Sequence, residues 1–161
     1  MIVVVDTNVP VAANKGSPQA SPQCVVLCAK RLWEIQRRGV LVIDSGWEIL
    51  REYMRNLRSL GEPGVGDAFL KWVLTNRTNA ERCLEVDVHP ECGSYAEFPK
   101  SESLARFDPS DRKFVAVALA HPSKPPILNA TDSDWWQYRR ALEGHGVTVV
   151  FICPDAPFMS T

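Results

Sequence analysis

Asp6 follows four consecutive aliphatic residues, Ile2-Val3-Val4-Val5. A carboxylate placed directly after a run that must be buried needs a partner of its own. Four more acids stand at comparable points. Asp132 and Asp134 follow the short segment Ile127-Leu128-Asn129-Ala130, Asp111 closes Asp108-Pro109-Ser110-Asp111 at the start of a helical stretch, and Glu52 lies one helical turn after Glu48. Carboxylates gathered out of water raise one another's pKa or repel, and a hard divalent cation removes that penalty. Mg²⁺ and Mn²⁺ favour oxygen ligands, and Mg²⁺ suits phosphate chemistry because it keeps several of its waters. If the fold brings these acids together, the chemistry they imply is metal-assisted hydrolysis of a phosphodiester or phosphomonoester.

The elements that must position them follow from periodicity. Ile2–Val5 reads as a buried strand ending in the loop Asp6-Thr7-Asn8. Ser21 to Arg38 repeats apolar positions at helical spacing and is closed by Gly39, and Val40–Ile43 is a second strand. Ser45-Gly46-Trp47-Glu48 has the form of a capping box, launching a helix through Leu57, and a further helix spans about Gly66 to Asn76. Cys83–Val88 alternates as a third strand, and Gly93–Phe107 reads as a connecting loop. Pro109 stands at the first position of a helix that runs to Ala120. A fourth strand covers Ile127–Ala130, a helix Asp132–Glu143, and a fifth strand Val147–Ile152. Strands alternating with helices predict an α/β fold: a three-layer α/β/α sandwich on a mostly parallel, five-stranded sheet. In such a sheet the carboxyl ends of the strands open on one edge, where ligands bind. Asp6, Asp132 and Asp134 fall directly on that edge.

Composition sets the outer bounds. The 161 residues carry 18 Lys+Arg against 19 Asp+Glu, a net charge of −1, which excludes a broadly basic nucleic-acid coat. With 45% hydrophobic residues the chain can bury a real core. One domain is expected over residues 1–153, followed by a short tail, 154–161. No run approaches the ~20 apolar residues of a membrane span, and no signal segment is evident, so the sequence reads as a soluble cytoplasmic chain without membrane contact. The five cysteines, Cys24, Cys28, Cys83, Cys92 and Cys153, are odd in number and scattered, against a disulfide framework. Cys24 and Cys28 could grip a metal from one helix face. No second Cys/His pair follows at zinc-site spacing, so they read as buried thiols. His89, His121 and His145 lack ligand spacing and receive no role.

The ordered set of Asp6-Thr7-Asn8 after a strand, Glu52 within Glu48-Ile-Leu-Arg-Glu52-Tyr, Asp108-Pro-Ser-Asp111-Arg-Lys-Phe-Val-Ala-Val-Ala, and Ile-Leu-Asn-Ala-Thr-Asp132-Ser-Asp134-Trp resembles a PIN-domain nuclease over residues 2–152. The resemblance implies Mg²⁺- or Mn²⁺-dependent cleavage of RNA. It assigns Asp6, Glu52, Asp111 and Asp132 as the four catalytic acids and metal ligands, with Asp134 as an accessory ligand. Thr7 and Asn8 match the polar pair that shapes the first metal loop. Ala130 stands where many members have Ser or Thr, and Trp135 where many have Phe. Small members of the family act as ribonuclease toxins, which implies a small antitoxin protein as partner and admits a homo-oligomer.

Each acid also has a plainer reading. Asp108 is a helix cap, Glu48 belongs to its capping box, and Asp111 and Asp134 sit where carboxylates meet a helix dipole. Glu52 beside Arg51 and Arg55 could be a solvated ion-pair member. Arg112, Lys113 and Arg139 flank the acidic motifs and could meet phosphates, but such residues are more often solvated surface charges, and they are left out of the catalytic set. Two other functions stay open: a non-catalytic RNA- or protein-binding module, and a phosphatase of the haloacid-dehalogenase type. The latter needs an acid two positions after Asp6, where this chain has Asn8.

Overall fold

The computed structural model describes residues 1–160. Ile2–Val5 forms β1, and Val3, Val4 and Val5 are all buried. Successive side chains point to opposite faces of a sheet, so burial of all three means that both faces of this strand are covered. The chain then runs through α1 (Asn8–Ala13), α2 (Pro22–Arg38), β2 (Val40–Asp44), α3 (Glu48–Asn56), α4 (Val65–Asn76) and β3 (Cys83–Val86). A small hairpin, β4 (Pro90–Glu91) and β5 (Ser94–Tyr95), precedes α5 (Arg112–Ala120) and β6 (Ile127–Asn129). Then come α6 (Ser133–Gln137), α7 (Arg139–Gly144) and β7 (Val149–Phe151).

The main sheet is five-stranded and all parallel, in the order β3-β2-β1-β6-β7. Helices α1, α2 and α4 pack on one another as one group and α3 and α5 as another, consistent with the three-layer α/β/α sandwich predicted. From β1 the chain builds outward through β2 to β3, then returns past β1 to β6. Strand order therefore reverses between β1 and β6, which puts the crevice of an open α/β sheet beside the carboxyl ends of these two strands.

Four local expectations are corrected. The loop after β1 is short: Asp6 and Thr7 make it up, and α1 begins at Asn8. It is held against α4 by Asn14, whose Oδ1 accepts from the Gly66 N–H at 2.7 Å and whose Nδ2 donates to Asp67 at 2.8 Å. The two helices approach so closely that a Cβ on Gly66 would lie 2.0 Å from the Pro10 carbonyl oxygen. The expected single helix from Asp132 to Glu143 breaks at Tyr138 into α6 and α7. The stretch from Gly93 holds β5 and a 3₁₀ turn at Glu102–Leu104 rather than an unstructured loop. The capping box at Ser45 does not form. Asp44 takes its place, its Oδ2 accepting from the Glu48 N–H at 2.7 Å and its Oδ1 from the Ile49 N–H at 2.9 Å, while Ser45 turns to Asp87. A buried carboxylate at a helix start is stabilised both by these bonds and by the helix dipole.

The segment after β7 packs back on the domain. Ala156 is buried, and the Phe158 ring meets Trp136 and Phe151. Cys24, expected as a buried thiol in a chain without disulfides, is instead joined to Cys153 in a disulfide that ties this segment to the first turn of α2. The sequence hides this pair because its members are 129 residues apart.

The Asp44 cap yields a test. Asp44→Ala is expected to lower unfolding stability by about 2 kcal/mol, whereas Ser45→Ala should stay within about 0.5 kcal/mol of the parent. Urea denaturation of the two variants beside the parent measures both; equal effects would contradict the reassigned cap.

Candidate metal centre

Asp6 leaves the end of β1 with its carboxylate almost fully buried. Its Oδ1 accepts from the Asn8 backbone N–H at 3.0 Å and its Oδ2 from the Trp135 indole N–H at 2.6 Å. The first bond follows from the tight turn into α1. The second comes from α6, across the crevice between β1 and β6, and it gives the departure at Trp135 a purpose: the indole fixes the carboxylate that the sequence singled out first.

Asn8 holds the two strand ends together. Its Nδ2 donates to Asn129 Oδ1 at 2.7 Å, and its Oδ1 accepts from the Ala130 N–H at 2.7 Å. Asn129, fully buried at the end of β6, donates in turn to the Asp132 carbonyl at 3.1 Å. Sequence reasoning missed Asn129. The available signal was a polar residue within an otherwise apolar strand, three positions before an acid. With both ends of its amide occupied in this way, Asn8 is a structural residue.

Three of the predicted acids meet. Carboxylate oxygens of Asp6, Asp111 and Asp132 lie within 4.8 Å of one another, contributed by the end of β1, the turn before α5 and the turn after β6. Asp132 also caps α6, with Oδ1 accepting from the Asp134 N–H at 2.9 Å. Asp111 is buried at the end of a 3₁₀ turn, Pro109–Asp111, that Asp108 caps through the Ser110 N–H, as expected for Asp108. Its Oδ2 is buried and finds no hydrogen-bond partner among the described residues. Asp134 falls in a second group with Asp108 and Asp111, again within 4.8 Å.

Glu52 stands beside the trio rather than in it. Its Oε1 pairs with the Lys113 ammonium at 2.7 Å, and its Oε2 accepts from the Thr7 hydroxyl in a short hydrogen bond. Lys113 is itself buried and donates to the Ser110 carbonyl as well. The Lys113–Glu52 pair thus links α3, the turn before α5 and the loop after β1. The other two cations near the motifs are also tied down. Arg112 donates to the carbonyls of Phe107 and Ala105 and covers the Phe98 ring; Arg139 donates to the Trp136 carbonyl and lies 3.6 Å over its ring.

The electrostatics are those of crowded carboxylates. Burial, then the charges of Glu52 and Asp132, pushes Asp6 up to about 7, although the Asn8 N–H and the Trp135 indole oppose the rise. Burial and the charges of Asp6 and Asp132 push Asp111 up to about 9. Asp134 is raised by burial and by Asp132 and Asp108. A divalent cation at the trio would relieve each of these penalties and satisfy the orphaned oxygen of Asp111. The donor set is all oxygen, which suits Mg²⁺ or Mn²⁺ over a thiophilic ion.

Comparison with known proteins adds no relative: no family model, curated protein or solved structure matches the chain. What is shown is the fold class and a carboxylate cluster at the switch point of its sheet.

The raised acids fix the sign of a pH dependence. Both are near 3.8 when unfolded and higher when folded, so between about pH 4 and 9 the folded state holds more protons. Their contribution to stability is complete below about pH 4 and is lost as pH rises through 7 and 9. In EDTA the thermal midpoint should therefore fall more steeply from pH 5 to 9 in the parent than in Asp111→Asn, and the variant should be the more stable of the two at pH 9 by about 2–8 °C. Parallel profiles would show that the cluster is not strained by its own charge.

Proposed function

We propose that this chain is a metal-dependent nuclease that hydrolyses RNA phosphodiester bonds. The observation that carries the reading is the convergence of Asp6, Asp111 and Asp132 at the crevice between β1 and β6, with a buried carboxylate oxygen left unpartnered. These three would hold Mg²⁺ or Mn²⁺, with Asp134 extending the acidic edge. When bound, such an ion supplies positive charge for the phosphoryl oxygens and acidifies an attacking water. RNA as the substrate, and an antitoxin-like protein as partner, rest on the resemblance of the ordered motifs to PIN-domain nucleases.

The chain's own residues have separable parts in this reading. Asp6 is held in one orientation by the Asn8 N–H and the Trp135 indole, beside the carboxylates of Asp111 and Asp132. Asp132 is held by its cap bond. Glu52 is a positioning residue: through Thr7 it braces the loop that carries Asp6, and its own charge is balanced by Lys113. The buried Lys113 also keeps the net charge of the site from growing with a fourth unpaired carboxylate.

Incubation with single-stranded and structured RNAs in Mg²⁺, Mn²⁺ or EDTA tests the reading. Cleavage should require metal and fall by at least about 100-fold in Asp6→Asn, folding being checked by circular dichroism. Binding of RNA without cleavage under either metal would replace it with a binding module; turnover of a small phosphomonoester alone would favour a phosphatase.

Trp135→Phe keeps an aromatic ring at this buried position and removes the indole N–H that Asp6 accepts from, together with part of the ring's volume. It should weaken Mn²⁺ binding or cleavage by about 10–100-fold with little change in fold. Unchanged Mn²⁺ affinity by titration calorimetry would remove Trp135 from the site.

A further inference from the structure

A second cluster of ligating side chains lies apart from the carboxylates in chemistry though close to them in space. Cys24 and Cys28 are one turn apart on α2, and Cys153 follows β7. The three sulfurs lie within 4.8 Å of one another, and all three residues are buried. The paired helix cysteines alone lacked a partner; the fold supplies one from 125 residues away, with Cys28 Sγ 3.9 Å from Cys153 Sγ. In a tetrahedral site with metal–sulfur bonds of ~2.3 Å, neighbouring sulfurs are about 3.8 Å apart. That edge is already present between Cys28 and Cys153.

We propose that, once the Cys24–Cys153 disulfide is reduced, Cys24, Cys28 and Cys153 form a three-thiolate site for a thiophilic divalent cation, Zn²⁺ in the first instance. Reduction to two thiols takes two electrons and two protons from a dithiol, which closes to its own disulfide, or two electrons from a phosphine, which leaves as the phosphine oxide while water supplies its oxygen and the two protons; metal binding then releases the thiol protons to solvent. The fourth position belongs to a cavity of about 480 Å³ that Cys24 and Cys153 line with Asp155, Gln19 and Asp132, giving the ion a route in and a water as its last ligand. Three thiolates around Zn²⁺ leave one net negative charge. Burial pushes the Cys28 thiol up and the Arg31 charge opposes that rise only in part, so the thiolates depend on the metal itself and on the position of Cys24, the third residue of a 17-residue helix, at its positive end. The site is distinct from the carboxylate trio, since Mg²⁺ takes oxygen ligands and thiolates select soft ions.

The test uses the whole chain, reduced with a phosphine without oxygen, freed of reductant and titrated with Co²⁺ and then Zn²⁺. One Co²⁺ per chain should produce sulfur-to-cobalt charge-transfer absorption, which carboxylates cannot give, and one Zn²⁺ should bleach it. The oxidised protein and Cys28→Ser should lack the band, and Asp6→Asn should keep it, so the result is independent of the proposed nuclease activity. Cys28→Ala guards against an effect peculiar to the new hydroxyl, and formation of the Cys24–Cys153 disulfide on reoxidation, read by thiol counting, shows that each variant is folded. Absence of the band in the reduced parent, or its persistence in both Cys28 variants, would overturn the proposal.

Discussion

A carboxylate buried at the end of the central strand is the constraint around which the rest of this molecule is arranged. Asp6 is fixed there by the fully covered β1 that precedes it, so it cannot retreat to water without unpacking the middle of the sheet. Its charge is tolerated because donors converge on it: a backbone N–H from the first turn of α1 and an indole from α6. Those donors cannot offset the two further acids beside it. Desolvation and like charge win over hydrogen bonding, and the net result is a proton-binding site near neutrality.

That cost is built in by topology. In a parallel sheet whose order reverses between β1 and β6, loops from both strands flank the same crevice, and the start of α5 closes it. The polar residues around the acids act as a frame. Asn8 joins the β1 and β6 ends, Asn129 holds the Asp132 turn, and the Lys113–Glu52 pair braces the third side. A buried ion pair of this kind adds little to stability, but removing one partner strands the other. Its contribution is to hold the loop after β1 against the turn before α5.

Much of this was legible because the signals were local. Aliphatic runs ended by acids gave the strands and placed Asp6 and Asp132 on the binding edge. The helix cap at Asp108 could be read from four residues. What escaped depended on partners distant in sequence or on competition between near neighbours. Asp44 displaced Ser45 as the cap of α3 because a buried carboxylate gains two backbone bonds where the hydroxyl offered one. Glu52 matched the ordered motif by position, but its partners, Lys113, 61 positions on, and Thr7, 45 positions back, could not be read locally. The purpose of Trp135 was invisible for the same reason, as its indole crosses to a residue 129 positions away.

The disulfide shows how the long-range contacts bear on the acids. By closing a 129-residue separation it restricts the unfolded chain, a stabilisation on the order of 4–5 kcal/mol in the chain-entropy account. It also fixes the segment after β7, where the Ile152 N–H bonds the Asn129 carbonyl at 2.9 Å. Asn129 in turn holds the Asp132 backbone. The sulfur cluster and the carboxylate cluster therefore share one mechanical element, the end of β6 and the turn that follows, and the cavity between them is walled by Cys24, Cys153 and Asp132 together. The disulfide-tied segment and the Asp132 turn are thus joined through Asn129 by two hydrogen bonds, one to its carbonyl and one from its side chain.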